Sequence, residues 1–306
     1  MTGIKRLSVV VPVTQDEGDL AQDFIAYKTV LADNAEFVDF IYVLDGQCPQ
    51  AVEALKSLKI AGEPLQILSF AKSKGEAAAL SVGCHHAEGD VIMTLPAKMQ
   101  VKTEELARLL VAFEGTDMVV AQRRLDREAS FGREKKLEYI LKLLLNSPFK
   151  DLRCGVRILR PRIAEEIPLY NNQHRFWPIL AQEQGFVVRE LEVEGYLQRK
   201  LSPGVDINIV LDVMTVYFLL RFLRKPFRFF GGVGFTILAI GVIATGYLVI
   251  ERLFFGIGLA DRPALILSTL MIVLGIQILA VGLIGEIITF SYTKDIKPYK
   301  VERIVK

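Results

Sequence analysis

Lys98 sits in the segment PAKMQ (residues 96–100), directly after an apolar run, and no aspartate or glutamate occurs between Leu95 and Thr103. An ammonium there can meet an anion. It cannot serve a hard divalent cation, which needs oxygen ligands and is repelled by a fixed positive charge. KSKG (residues 72–75) precedes an apolar helical stretch, a pattern compatible with anion binding at a helix N-terminus. Arg123, Arg124, Arg133, Arg175 and Arg199 carry planar forks suited to phosphate oxygens. Candidate metal ligands do not gather. His85 and His86 follow Cys84 in a helical stretch, face different directions and read as structural or surface residues. Cys48, Cys84 and Cys154 are far apart and form no CxxC pair, so neither a zinc ribbon nor a disulfide framework is expected.

Positioning these groups requires a scaffold, and the hydrophobic pattern predicts one. Strand-like runs at 7–13, 37–45, 65–70, 90–95, 117–122 and 186–193 alternate with helical patterns at 20–32, 50–58, 75–87, 103–113 and 133–145. Such alternation predicts an α/β domain with a mostly parallel sheet covered on both faces. Ligands then collect at the carboxyl ends of strands, here residues 12–17, 44–49, 95–100 and 121–124. A net charge of +2 gives no support to nucleic-acid binding.

The composition exceeds what one soluble domain needs. Of the 306 residues 51% are hydrophobic, and the mean hydropathy is +0.34. The surplus lies in two charge-free runs, 231–250 (GGVGFTILAIGVIATGYLVI) and 264–285 (ALILSTLMIVLGIQILAVGLIG). About twenty residues at 1.5 Å each cross a hydrocarbon core of roughly 30 Å. Basic residues crowd the outer flanks (Arg221, Arg224, Lys225, Arg228; Lys294, Lys297, Lys300, Arg303, Lys306), which predicts a hairpin with both flanks cytoplasmic. The N-terminus shows no signal-peptide pattern, and the globular part is expected in the cytosol. Gly234, Gly241, Gly246, Gly275, Gly282 and Gly285 permit close helix packing, within the hairpin or between copies as a homo-oligomer. Before the first span, 207–225 is apolar and aromatic but interrupted by Asp212 and Arg221, as an interfacial helix under anionic headgroups would be.

Several blocks, in order, carry a resemblance. VVVPVTQDEGDL (9–20) is similar to an opening strand of the form VxPxYNExxNL, and VLDGQ (43–47) to VDDGS. KGEAAALSVGCHHAEGDVIMTL (74–95) tracks GKGxAxxxGxxxAxGDxIxxL. DLRCGVRILR (151–160) resembles DxxCGFRLFR, and HRFWPILAQEQGFVVRELEV (174–193) resembles HRFxPxLAxxxGxxVxEVPV, with Arg199 following. The chain thus resembles the family 2 glycosyltransferases of the GT-A type, in the subgroup of dolichol-phosphate mannose synthase and bacterial polyprenyl-phosphate glycosyltransferases. The resemblance covers essentially the whole chain. It implies a GT-A domain at 1–205, the interfacial helix at 206–228, a transmembrane hairpin within 229–290 and a basic cytosolic tail at 291–306, in the cytoplasmic (inner) membrane.

It also implies substrates and site residues. The family joins a nucleotide sugar to a polyprenyl phosphate with inversion, holding the donor diphosphate and a divalent metal through a DxD such as DADLQ. That stretch aligns with PAKMQ, where Pro96 and Lys98 replace both carboxylates, so no divalent metal is expected. Leu44 replaces one further acid, while Asp45 remains, and the lysine of the late GxSKY stretch is absent. The resemblance places Lys98, Asp151 and Arg133 in catalysis; outside catalysis, Asp151 would cap a turn or pair with Arg153. Pro12, Asp45, Lys74, Gly75, Gln100 and Arg123 fall to the nucleotide, and Arg199 and Arg175 to the lipid phosphate. A CMP-sugar suits a metal-free site because its leaving group carries less charge than a diphosphate. Two readings stay open: an active transferase using Lys98 in the metal's place, and an inactive relative acting as a binding or assembly subunit in envelope glycan synthesis.

Overall fold

A computed structural model of the chain describes residues 4–15, 19–124, 149–169, 171–196, 226–255 and 263–293. The chain divides into two compact units, Met1–Asp212 and Val213–Lys306.

In the first unit, the described elements are β1 (Arg6–Val13), α1 (Leu20–Ala32), β2 (Phe37–Leu44), α2 (Pro49–Ile60), β3 (Leu65–Ser69), α3 (Glu76–His86), β4 (Val91–Thr94), α4 (Glu104–Ala112) and β5 (Met118–Arg124). After them come β6 (Arg157–Leu159), α5 (Pro161–Glu166), a 3-10 turn (Asn171–Phe176), α6 (Trp177–Glu183) and β7 (Val188–Glu194). Among the described residues the sheet has the order β3-β2-β1-β4-β6-β5-β7. β6 runs antiparallel to both neighbours, and all other pairings are parallel. Hence six carboxyl ends share one edge, and β6 starts from that edge.

Six strands and four helices expected from the sequence are present, within a few residues at their ends. β6 and α5 are additions to that pattern, and the 3-10 turn and α6 fall at the start of the 174–193 block. The helix expected at 133–145 and the interfacial helix lie outside the described residues, apart from residues 226–228.

The sheet is buried on both faces, which is why β1 reads as a continuous apolar run. Leu7, Val9, Val11 and Val13 pack with Phe24, Leu31, Leu55 and Leu109 on the α1, α2 and α4 side. Val10, Ile41, Val43 and Ile92 pack with Leu80, Ile163 and Trp177 on the other. There α3 approaches so closely that a Cβ on Gly83 would lie 2.3 Å from Val10 Cγ1. Pro12 stands beyond the last β1 residue paired by β4, Val10 opposite Thr94, where a missing ladder donor is tolerated.

The second unit contains α7 (Pro226–Phe255) and α8 (Pro263–Thr293). Both are long and apolar enough to cross a membrane. Each begins several residues before its charge-free run or at its edge, with a proline at the helix start, where the missing N–H costs no intrahelical bond. At 30 and 31 residues they are about 45 Å long. Glycines make their contact. A Cβ would lie 2.9 Å from Leu279 N at Gly234, 2.9 Å from Ile272 N at Gly241 and 2.7 Å from Leu238 N at Gly275. Gly282 and Gly285 face Phe230 and Pro226, whereas Gly246 has nothing within 4 Å. Five of the six glycines singled out above therefore serve the intramolecular contact. Thr245 Oγ1 donates to Ser268 Oγ at 3.0 Å across the pair. Glu286 accepts the Phe227 N–H at 3.2 Å, satisfying an amide that the first turn of α7 leaves open. Phe235, Ile243, Leu253 and Ile266 point outward, a surface matched to hydrocarbon.

Candidate active site

Asp45 follows β2 at the carboxyl edge and is 5% exposed. Its carboxylate accepts from Ser73 Oγ at 2.7 Å, Lys74 N at 2.6 Å and Gly75 N at 2.9 Å. Burial pushes its pKa up, but the bonds from Lys74, Ser73 and Gly75 outweigh that and hold it below the ordinary 3.8. Gly75 caps α3 with φ at 91°, a conformation that favours glycine. Asp45 thus fastens the loop before α3. The Lys74 and Gly75 N–H groups are thereby occupied, so an anion at this loop would meet the exposed side chains of Lys72 and Lys74 instead.

The β4 end is built differently. Leu95 and Pro96 are buried, and Lys98 is exposed with no carboxylate paired to it among the described residues. Gln100 turns its side-chain oxygen to Gly155 N at 2.8 Å, and its backbone oxygen accepts from Tyr196 N at 3.0 Å. Thr94 Oγ1 donates to Gly155 O at 2.8 Å. Gly155 packs against the Pro96 ring, where a Cβ would lie in ordinary contact at 3.4 Å. Residues 94–100 and the segment leading into β6 therefore form one braced floor beneath Lys98, and Gln100 is part of the bracing.

A third knot ties β5 to the same segment. Asp151 grips Arg123 as a fork, Nε to Oδ2 at 2.7 Å and Nη2 to Oδ1 at 3.1 Å. It also accepts Arg123 N at 3.2 Å and Arg153 N at 3.1 Å. The two side chains are only 9% and 14% exposed. Glu190 on β7 accepts the Lys150 and Asp151 N–H groups from below; burial is the main reason its carboxyl is raised. Asp151 therefore does cap a turn, through Arg153 N, but its ion pair is with Arg123.

Arg175 is half-buried on the 3-10 turn, on the α3 side of the sheet. Arg133 and Arg199 lie outside the described residues. Sequence reasoning missed Glu76, Arg157 and His174, which meet beneath α3. The signal that points to them is the arginine inside the apolar run of residues 156–159 (VRIL). His85 and His86 are exposed at the end of α3, and all three cysteines are buried. Burial pushes the Cys84 and Cys154 thiols up to about 12, so neither is a nucleophile at neutral pH.

The described residues at this edge do not form a donor set suited to a divalent metal. The β4 end offers a proline, an ammonium and an amide oxygen already bonded to Gly155, while both Asp45 oxygens are engaged by the α3 loop. Hard cations require several free oxygens at one point.

The fold and this edge define an α/β protein whose strand ends present cations, on a chain that also carries two membrane-length helices. A profile described as Glycosyl transferase family 2 matches residues 8–171, more than half the chain, and the chain belongs to that family. It is a glycosyltransferase with a GT-A fold, followed by two helices long and apolar enough to cross a membrane. It is 29% identical to an undecaprenyl-phosphate 4-deoxy-4-formamido-L-arabinose transferase of Aeromonas hydrophila, over 100% of this chain and 95% of that one. It is 28% identical to a prophage bactoprenol glucosyl transferase homolog of Escherichia coli, over 98% and 100% of the two. Against a dodecaprenyl-phosphate galacturonate synthase of Rhizobium johnstonii the identity is 23%, over 94% and 89%. Glucosyl-3-phosphoglycerate synthase from Mycobacterium tuberculosis, solved with Mn2+, UDP and phosphoglyceric acid, has the same fold: TM-score 0.54 at 14% identity, covering 71% of this chain and 78% of that one.

Proposed function

We propose that the protein transfers a sugar from a nucleotide sugar to a polyprenyl phosphate, with inversion and without a divalent metal, at the cytoplasmic face of the inner membrane. The observation that carries this reading is the near full-length match to three transferases named for polyprenyl-type acceptors, hairpin region included. In the step, a lipid-phosphate oxygen attacks the anomeric carbon from the side opposite the nucleotide. The bond from that carbon to the nucleotide phosphate breaks, and the nucleotide leaves with its electron pair. A phosphate monoester is already anionic near neutral pH, so no strong base is needed. The demand is for cations that hold two anions together and stabilise the one departing.

Lys98 supplies that charge at the β4 end. At roughly 4 Å and an effective dielectric near 20, a unit charge is worth about 4 kcal/mol against an anion before desolvation. A CMP-sugar, with its less charged leaving group, matches a single lysine better than a nucleoside diphosphate donor does. Asp45 holds the α3 loop and its lysines in place, and Asp151 with Arg123 holds the acceptor side. Arg133, Arg175 and Arg199 bind phosphate, Arg199 on the lipid side. Both termini face the cytoplasm.

The test is transfer by the purified full chain, in detergent with undecaprenyl phosphate and a panel of CMP-, UDP- and GDP-sugars, with product read by mass spectrometry. Glycosylated lipid in the presence of EDTA supports the proposal. Nucleotide binding without transfer would instead make the chain an inactive assembly subunit. The orientation is tested with cysteines placed at Gly258 and Lys306 in intact cells, where only the first should react with an impermeant label. Selective labelling at Lys306 would overturn the topology.

A further inference from the structure

A buried charge cluster lies on the α3 side of the sheet, and the roles assigned above leave it unused. Arg157 opens β6 opposite Thr94 and Val120 and is 1% exposed. Its Nε and Nη1 have no hydrogen-bond partner among the described residues. Among the described residues, the groups acting on it are the Cys154 thiol, Glu76 at the start of α3, Asp151, and Arg175 on the 3-10 turn. Glu76 accepts from His174 Nε2 at 3.3 Å, and the buried Nδ1 of that imidazole is also unpartnered among the described residues. Asp151 is already held by Arg123. Glu190 stands behind Asp151 and accepts its N–H at 3.1 Å, so among the described residues Glu76, Asp151 and Glu190 share this region with Arg123, Arg157, Arg175 and His174.

Burying a guanidinium without acceptors is unfavourable, and a methionine would fill the space without that penalty. Burial does lower the pKa of Arg157 from 12.5, yet an arginine keeps its charge. Its location matters more. Two residues earlier, Gly155 accepts from Thr94 and abuts Pro96, so the charge stands directly behind the strand end that carries Lys98. A charge shielded from solvent is little screened and acts over a longer range than a surface one.

We propose that Arg157 is a buried source of positive potential for the donor's phosphates, reinforcing Lys98 from behind the strand edge without touching the substrate. The inference rests on the donor-site reading above. A unit charge ~10 Å from its target, at an effective dielectric near 20, changes binding roughly ten- to twentyfold per opposing charge.

Calorimetric titration of the full chain with uridine, UMP and UDP, and with the cytidine and guanosine series, reads this directly. Arg157→Met should weaken the diphosphate at least tenfold and the monophosphate less, and leave the nucleoside unchanged; Arg157→Lys should recover most of the loss. Glu76→Gln removes the opposing acid and should tighten the diphosphate several-fold relative to the nucleoside, which keeps the test alive if Arg157→Met does not fold. Equal losses for nucleoside and diphosphate, or no tightening in Glu76→Gln, would overturn the proposal. A wild type that binds none of the series overturns the donor-site reading, and this inference with it.

Discussion

Arg123 and Lys98 stand at two strand ends of the same sheet edge, and the protein uses them in opposite ways. The Arg123 guanidinium is clasped by Asp151 and nearly buried, while Lys98 is exposed and no described carboxylate pairs with it. Asp45 belongs with Arg123, since its oxygens are taken up by the chain's own loop. A charged residue in a family motif is therefore not by that fact available to a ligand. What decides availability is whether the neighbouring chain has already satisfied it. On this edge the acids and Arg123 brace loops, whereas Lys98 is exposed and has no described carboxylate beside it.

Breaking the brace should produce the largest change. Arg123→Ala leaves Asp151 charged and unpaired in a nearly closed site, which should destabilise the domain by about 3 kcal/mol. Denaturant unfolding of the full chain measures this, and a loss below about 1 kcal/mol would show that the pair does not hold the segment. Asp45→Asn should cost about 2 kcal/mol, since an amide cannot accept from three donors as a carboxylate does. The pH dependence gives the sign. The folded pKa of Asp45 lies below its ordinary 3.8, so its stabilisation is present above that value and is lost as pH falls through the lower, folded one. Wild type and Asp45→Asn should therefore differ most near neutral pH and converge under strong acid; a constant difference would contradict the assignment.

Arg199→Ala extends the comparison to the lipid side. It should weaken lipid-phosphate binding by about 1.5–3 kcal/mol, the range for one charge-assisted contact, and leave nucleotide affinity intact. Equal lipid affinity in variant and wild type would remove Arg199 from the site. The smallest effect is expected next door to Arg123. Arg124 meets Glu192 at 3.5 Å with side chains 77% and 55% exposed, so Arg124→Ala should change stability by no more than about 0.5 kcal/mol.

Much of the scaffold is legible in the sequence because apolar periodicity reports burial. The bounds of α1 fall on the predicted residues, and both membrane-length helices stand out by length and lack of charge. β6 escapes because three residues carry no readable period and one of them is an arginine. The site is legible as a set of residues but not as a set of partners. Asp45 and its loop are 28–30 positions apart, and so are Arg123 and Asp151 at 28. Such pairings are set by the strand order of the sheet. The Glu76–Arg157–His174 cluster is hidden for the same reason. A glutamate opening a helix looks like a surface residue until the 3-10 turn is laid against it.

The central claim is that Lys98 does the electrostatic work a metal would otherwise do. Initial rates of sugar transfer to undecaprenyl phosphate should be compared for wild type and Lys98→Ala, each in EDTA, Mg2+ and Mn2+. Wild-type rates should be the same in all three, and Lys98→Ala should be slower by about 10²–10³-fold, as expected for losing a principal charge-stabilising group. A wild-type enzyme active only with Mn2+ or Mg2+, or a Lys98→Ala protein as fast as wild type, would contradict the claim.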